Sequence, residues 1–168
     1  QETSITLPEV RVNPANVNRK VAIVGTGPAG LTCAYFLARL GYRPVVFEAE
    51  AQPGGMLVQT IPAYRLPREE LTREIQMIER LGVTIQTGKK LGRDFTLQGL
   101  RDEGYEAVFV AVGAPQGSKL RIPGENAKGV DDAMTFLRAF NLNGKAPTGK
   151  KVAVVGSGPA GMSAAQQL

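Results

Sequence analysis

The chain has 168 residues, 43% of them apolar, with 20 basic and 15 acidic side chains, which is enough apolar material for a core and argues against disorder. It has no histidine and a single cysteine, Cys33, so an internal disulfide is excluded, no conventional zinc or iron–sulfur ligand set exists, and any metal centre lies outside these residues. The net charge of +5 is scattered in small groups such as Arg19-Lys20, Lys89-Lys90 and Lys150-Lys151, not in the dense stripe that nucleic acid requires, and no apolar run reaches the about 18 residues of a membrane span. The expectation is a cytoplasmic chain with no membrane insertion and no nucleic-acid partner.

Residues 1–18 show no sustained periodicity, contain two prolines and read as an extended linker or arm. Lys20 to Val24 is a short apolar run that ends at Gly25, the pattern of a buried parallel strand. Pro28 to Leu40 follows as a helix closed by Gly41, and Pro44 to Glu48 as a second strand, completing a βαβ unit. From Pro67 onward, Leu71, Ile75, Ile78 and Leu81 recur on one helical face, with Pro67 suited to the first turn and Gly82 to the stop. Val83–Thr87 reads as a strand, Thr96 as the cap of a short helix through Glu103, and Tyr105–Val112 as a further buried strand ending at Gly113. Residues 114–130 read as loop, and Asp131 or Asp132 caps a helix to about Asn141.

The sequence then repeats itself, since Lys151 to Met162 (KVAVVGSGPAGM) echoes Lys20 to Leu31 (KVAIVGTGPAGL). A strand and part of a helix cannot bury their own apolar faces. The expectation is therefore an α/β fold, a Rossmann-like parallel sheet flanked by helices over residues 19–142, a linker over 143–150, and the truncated start of a second nucleotide-binding Rossmann unit over 151–168.

Gly25-Thr26-Gly27-Pro28-Ala29-Gly30 lies between a predicted strand and helix. There glycines permit a tight turn, close approach of backbone to a pyrophosphate and close helix packing. Glu48, at the end of the next strand, is placed to accept hydrogen bonds from both hydroxyls of an adenosine ribose and to repel a 2′-phosphate, so the nucleotide is FAD or NAD and not NADP. FAD is favoured by Pro53-Gly54-Gly55-Met56, where paired glycines let the chain pass close to a cofactor, and by Gly113 after the strand that precedes it. Cys33 lacks a Cys-x-x-Cys partner and reads as a packing residue.

The segments GTGPAGLTCAYFLARLGY, PGGM, IPAYRLP, LGV, GKKLGRDFTL, AVFVAVGA and IPGE resemble, in this order, the flavoprotein family of glutamate synthase small subunits and the N-terminal flavin region of dihydropyrimidine dehydrogenase. The likeness spans about residues 19 to 140. It implies FAD contacts at Gly27 to Gly30 and Glu48, along Gly54 to Met56, at Arg65 near the flavin and at Leu91 beside the adenine. It also implies that residues 1–18 follow an iron–sulfur domain, that an NAD(P)H domain is inserted after the first unit, and that a returning segment completes the FAD site. One feature departs from the family pattern. The second motif, Gly156-Ser157-Gly158-Pro159-Ala160-Gly161, lacks the Gly-x-Gly-Asn-x-Ala-x-Asp usual in the family, so it opens either an NAD(P)H site or a second flavin site.

The resulting expectation is the FAD-binding part of an NAD(P)H-dependent oxidoreductase that passes electrons to iron–sulfur centres on another domain or subunit. No catalytic side chain and no metal ligand is assigned, and the segment alone is expected to be inactive. The alternatives are an NAD-binding module of a dehydrogenase and a non-catalytic docking domain of an electron-transfer complex.

Overall fold

Four short strands form one parallel sheet in the order β3-β2-β1-β4 in the computed structural model, which describes residues 12–146 and 148–168. The strands are β1 (Val21–Val24), β2 (Val45–Phe47), β3 (Thr84–Gln86) and β4 (Ala107–Val110). Ala22 pairs with Val45 and Val24 with Phe47 on one side of β1, while Val21 pairs with Ala107 and Val24 with Val110 on the other. The chain thus leaves β1 toward β2 and later returns to its opposite edge, which makes the C-terminal end of β1 the switch point where open α/β sheets bind ligands.

Because side chains alternate across a strand, the two faces of the sheet carry different cores. Ile23 and Val46 pack with Leu31, Ala34 and Ala38 of α1 (Pro28–Arg39) and with Leu71, Ile75 and Ile78 of α3 (Arg68–Arg80). Ala22, Val24 and Phe47 pack on the other face with Leu100, backed by Leu91, Phe95 and Tyr105. Each of the buried Val, Leu, Ile and Phe side chains contributes about 1.5–3 kcal/mol by leaving water. In α3 the charges also suit the helix dipole, with Glu69 and Glu70 in the first turn and Arg80 in the last.

The helices follow their local signals. Thr96 caps α4 (Leu97–Asp102) by accepting from the Gly99 N–H at 2.9 Å, and Asp132, the second of the two expected caps, accepts from Met134 and Thr135 at the start of α5 (Ala133–Asn143). The Thr135 hydroxyl and these backbone donors hold the Asp132 carboxyl below the ordinary aspartate value.

Three readings require correction. Of the expected extended arm, residues 1–11 lie outside the described residues, but Pro14–Asn18 form a 3-10 turn capped by Asn13, and the Asn16 amide donates to Leu40 O at 2.9 Å. Local Asn and Pro chemistry replaces the missing periodicity there. The Tyr105–Val112 strand is shorter and is not buried, since Phe109 is 42% and Val112 56% exposed; β4 lies at the sheet edge, and among the described residues nothing pairs with its outer side. Val152–Val155, the echo of β1, forms no strand among the described residues and leaves Val155 89% exposed, while its helix α6 (Pro159–Gln167) buries Ser163 and Ala164. None of the helices is long and apolar enough to cross a membrane among the described residues.

The connection between β2 and α3 folds around Arg68. Its guanidinium donates to the carbonyls of Leu57 at 2.8 Å, Val58 at 3.0 Å and Ile61 at 2.7 Å, and desolvation pulls its pKa below the ordinary arginine value. A planar fork reaches three diverging carbonyls where an ammonium cannot. Arg68→Ala is expected to lower the unfolding free energy by about 2–3 kcal/mol, and Arg68→Lys to restore less than half of that loss. Urea midpoints measure this, and an unchanged midpoint for Arg68→Ala would refute the role.

Candidate functional site

The site begins where β1 stops. Gly25 sits at φ +105° and its N–H donates to Phe47 O at 2.8 Å, which fastens the turn to β2. A Cβ on Gly25 would overlap the Ala111 carbonyl, and one on Gly30 would overlap the Gly25 carbonyl. These two glycines let strand, turn and helix touch. Gly27 differs: it is the N-cap of α1 at φ −64°, and a Cβ there would meet nothing within 4 Å. Pro28 and Ala29 are exposed in the first helical turn. Space is thus held open at the positive end of a helix of 12 residues.

Glu48 closes the site from β2. It is only 6% exposed, and burial of a carboxylate is costly unless donors surround it. Its Oε2 accepts from the Thr26 N–H at 2.9 Å and from the Thr26 hydroxyl, and its Oε1 accepts from the Glu50 N–H at 2.9 Å. A carboxylate has about four acceptor positions, so the three donors among the described residues leave one, on Oε1. The Thr26 hydroxyl also accepts from the Gly54 N–H at 2.9 Å, which draws the Pro53-Gly54-Gly55 loop onto the glycine turn. A Cβ on Gly55 would stand 3.0 Å from Gly27 Cα.

Beyond this loop, Met56 opens the short helix α2 (Met56–Gln59), which periodicity over four residues is too brief to announce. Met56, Gln59 and Thr60 line one wall of a cavity of about 510 Å³, with Gln116, Thr135 and Arg138 among the residues opposite. Here α5 is tied to the first unit. Arg138 is ion-paired with Glu50, and the Asn141 amide donates to Gln59 O and Ile61 O, each at 3.2 Å.

Gly25, Gly27, Pro28, Ala29, Gly30, Glu48, Gly54 and Gly55 therefore belong to one cluster, with Met56 at its margin. Arg65 is exposed on the turn before α3. Leu91 is half-buried against the Phe47 and Phe95 cluster, so its surroundings in the fold are a packing environment. Gly113 is exposed at φ +67°, two residues beyond the Ala111 carbonyl that touches the turn. In the second motif Gly156 sits at φ +108°, Gly158 caps α6, and a Cβ on Gly161 would overlap Gly156 O, whereas one on Gly158 would meet nothing. Each glycine of the first turn thus has a counterpart in the second.

Thr26, Arg68, Arg138 and Asn141 were not marked by the sequence. Thr26 is the variable position of its motif, and its partners lie 22 and 28 residues away, beyond any local pattern. Cys33 is half-buried and burial raises its thiol pKa, which disfavours the thiolate.

A parallel sheet with a glycine turn at its switch point and a buried acid one strand over defines a dinucleotide-binding α/β unit. The chain belongs to the family described as pyridine nucleotide-disulphide oxidoreductase, whose model matches residues 19–168. It is 45% identical over 152 residues to the NADP(+)-dependent formate dehydrogenase subunit beta of Moorella thermoacetica, covering 88% of this chain and 21% of that one. It is 38% identical over 155 residues to the glutamate synthase [NADPH] small chain of Escherichia coli (strain K12), covering 86% and 33%, in accord with the resemblance read from the motifs. Among solved structures, a 2-naphthoyl-CoA reductase shares the fold, with a TM-score of 0.69 at 24% identity over 95% of this chain and 23% of that one. The chain spans about a fifth to a third of the length of these two relatives.

The division of labour among the glycines is testable. Gly30→Ala forces a methyl into the Gly25 carbonyl and is expected to destabilise the protein by on the order of 3 kcal/mol. Gly27→Ala enters open space and is expected to cost no more than about 1 kcal/mol. Thermal unfolding without cofactor compares the two, and equal losses would contradict the assignment.

Proposed function

We propose that this chain is the FAD-binding part of an NAD(P)H-dependent oxidoreductase, with the first glycine turn receiving FAD. The observation that carries this reading is the open space at Gly27, set at the N-terminus of α1 beside a buried carboxylate that keeps one acceptor position. The backbone N–H groups of the turn would face the pyrophosphate, and Glu48 would accept from an adenosine ribose hydroxyl through Oε1. Gly54 and Gly55 would let the loop pass close to the cofactor, with Met56, Arg65, Leu91 and Gly113 as more distant contacts. When bound, flavin supplies the exchange between two-electron hydride chemistry at nicotinamide and single-electron transfer. The residues of this chain position, exclude water and set charge, and no side chain here needs to move a proton.

The second turn, Gly156 to Gly161, repeats the conformation of the first and is proposed to receive NAD(P)H. Electrons would leave through iron–sulfur centres of another domain or subunit, since a chain without histidine and with one cysteine cannot ligate them. Support comes from relatives that are named as subunits or chains of NADPH- or NADP(+)-dependent enzymes. Such a protein would work in the cytoplasm, where thiols remain reduced.

The purified full-length protein is expected to show flavin absorbance in the visible range, which an NAD-only module or a bare docking domain would lack. Glu48→Arg replaces an acceptor by a cation and is expected to weaken FAD retention by about 2–4 kcal/mol, while Gly27→Val fills the open space and abolishes retention. Flavin content per polypeptide is the measurement, and unchanged content in both variants would sink the assignment.

A further inference from the structure

Thr26 fills the position between Gly25 and Gly27 that the dinucleotide motif leaves unspecified, yet it is fully buried, at 0% exposure, and bonded to two distant segments. We propose that Thr26 is a positioning residue that sets the adenosine-ribose specificity of the first site by fixing the orientation and the free acceptor of the Glu48 carboxylate. The inference rests on reading that site as dinucleotide-binding.

The hydroxyl of Thr26 has a single proton. The Gly54 N–H can only donate, so the hydroxyl accepts from it and directs its own proton to Glu48 Oε2. Oε2 also accepts from the Thr26 N–H at 2.9 Å and is thereby saturated. Oε1, which among the described residues accepts only from the Glu50 N–H at 2.9 Å, keeps the remaining acceptor position.

An anion with one acceptor position left discriminates sharply among ribose substituents. The adenosine 2′-hydroxyl satisfies it, loss of that hydroxyl leaves it unpaired, and a 2′-phosphate is repelled. Without the Thr26 hydroxyl, Oε2 and the Gly54 N–H each lose a partner. The carboxylate is then free to rotate or to turn Oε2 toward the Gly54 loop, and the selection is lost with it. Ser supplies the same proton and lone pair, whereas Val and Ala supply neither.

The test uses the full-length protein stripped of flavin. Fluorescence titration measures the dissociation constants of FAD, of its analogue lacking the adenosine 2′-hydroxyl, and of its 2′-phosphorylated analogue. The wild type is expected to prefer FAD over the deoxy analogue by about tenfold or more. Thr26→Val and Thr26→Ala are expected to cut that preference below about threefold and to relax exclusion of the phosphorylated analogue, while Thr26→Ser stays within about twofold of wild type. Adding Glu48→Gln to Thr26→Val should produce no further loss of preference, because both act on one acceptor. Equal weakening for all three ligands with the preference retained would overturn the proposal, as would failure of both Val and Ala variants to fold, since Thr26 would then be structural only. A wild type that binds flavin without discriminating among the three would instead overturn the ribose role of Glu48, and one that binds none would overturn the reading of the site.

Discussion

A buried carboxylate must be met by donors, and in this chain the burial of Glu48, 6% exposed, organises everything around it. Its side chain collects the Thr26 and Glu50 donors, and its backbone extends the ladder to β3, with Glu48 N–H donating to Gln86 O at 2.8 Å and Lys89 N–H donating to Glu48 O at 2.7 Å. Through the Thr26 hydroxyl the same centre holds Gly54 and hence the loop that leads into α2. Three stretches that are far apart in sequence become one site because one buried anion requires them.

The glycine turn itself needs much less. Gly156 adopts φ +108° where Gly25 adopts +105°, and Gly158 and Gly27 both cap their helices with extended backbone. The Met162 N–H donates to Gly158 O at 3.0 Å, as the Leu31 N–H does to Gly27 O. The second turn attains this shape with no strand pairing among the described residues, so the conformation follows from the local order of glycine, proline and small residues. The first turn has in addition an acid clamped from β2 and a loop folded over it.

The two repeats are bridged by α5. Its Arg138 pairs with Glu50, which itself donates to Glu48, and its Asn141 holds the carbonyls that lead out of α2. It also packs against α6, where Ser163 and Ala164 are buried. The helix thus touches both repeats, and the half-exposed Arg138–Glu50 pair gives the link to the first an electrostatic component that salt weakens.

Caps, turn glycines and helical spacing were legible because each acts within a few residues. Thr96, Asp132, Gly41 and the Leu71, Ile75 and Ile78 stripe are where their neighbours alone would put them. The parallel βαβ unit, the two glycine turns and the alignment of Glu48 with the first of them were also determined by the sequence, because strand, turn and helix there are consecutive. Burial was not: the apolar run of β4 is half exposed at a sheet edge, since which strand is covered depends on what packs beside it. Nor were the partners of Glu48, the three carbonyls gathered by Arg68, or the tie between Arg138 and Glu50. Those contacts join residues up to 88 positions apart, and only the tertiary structure decided them, because a buried polar group is satisfied by whichever donor the fold brings within reach.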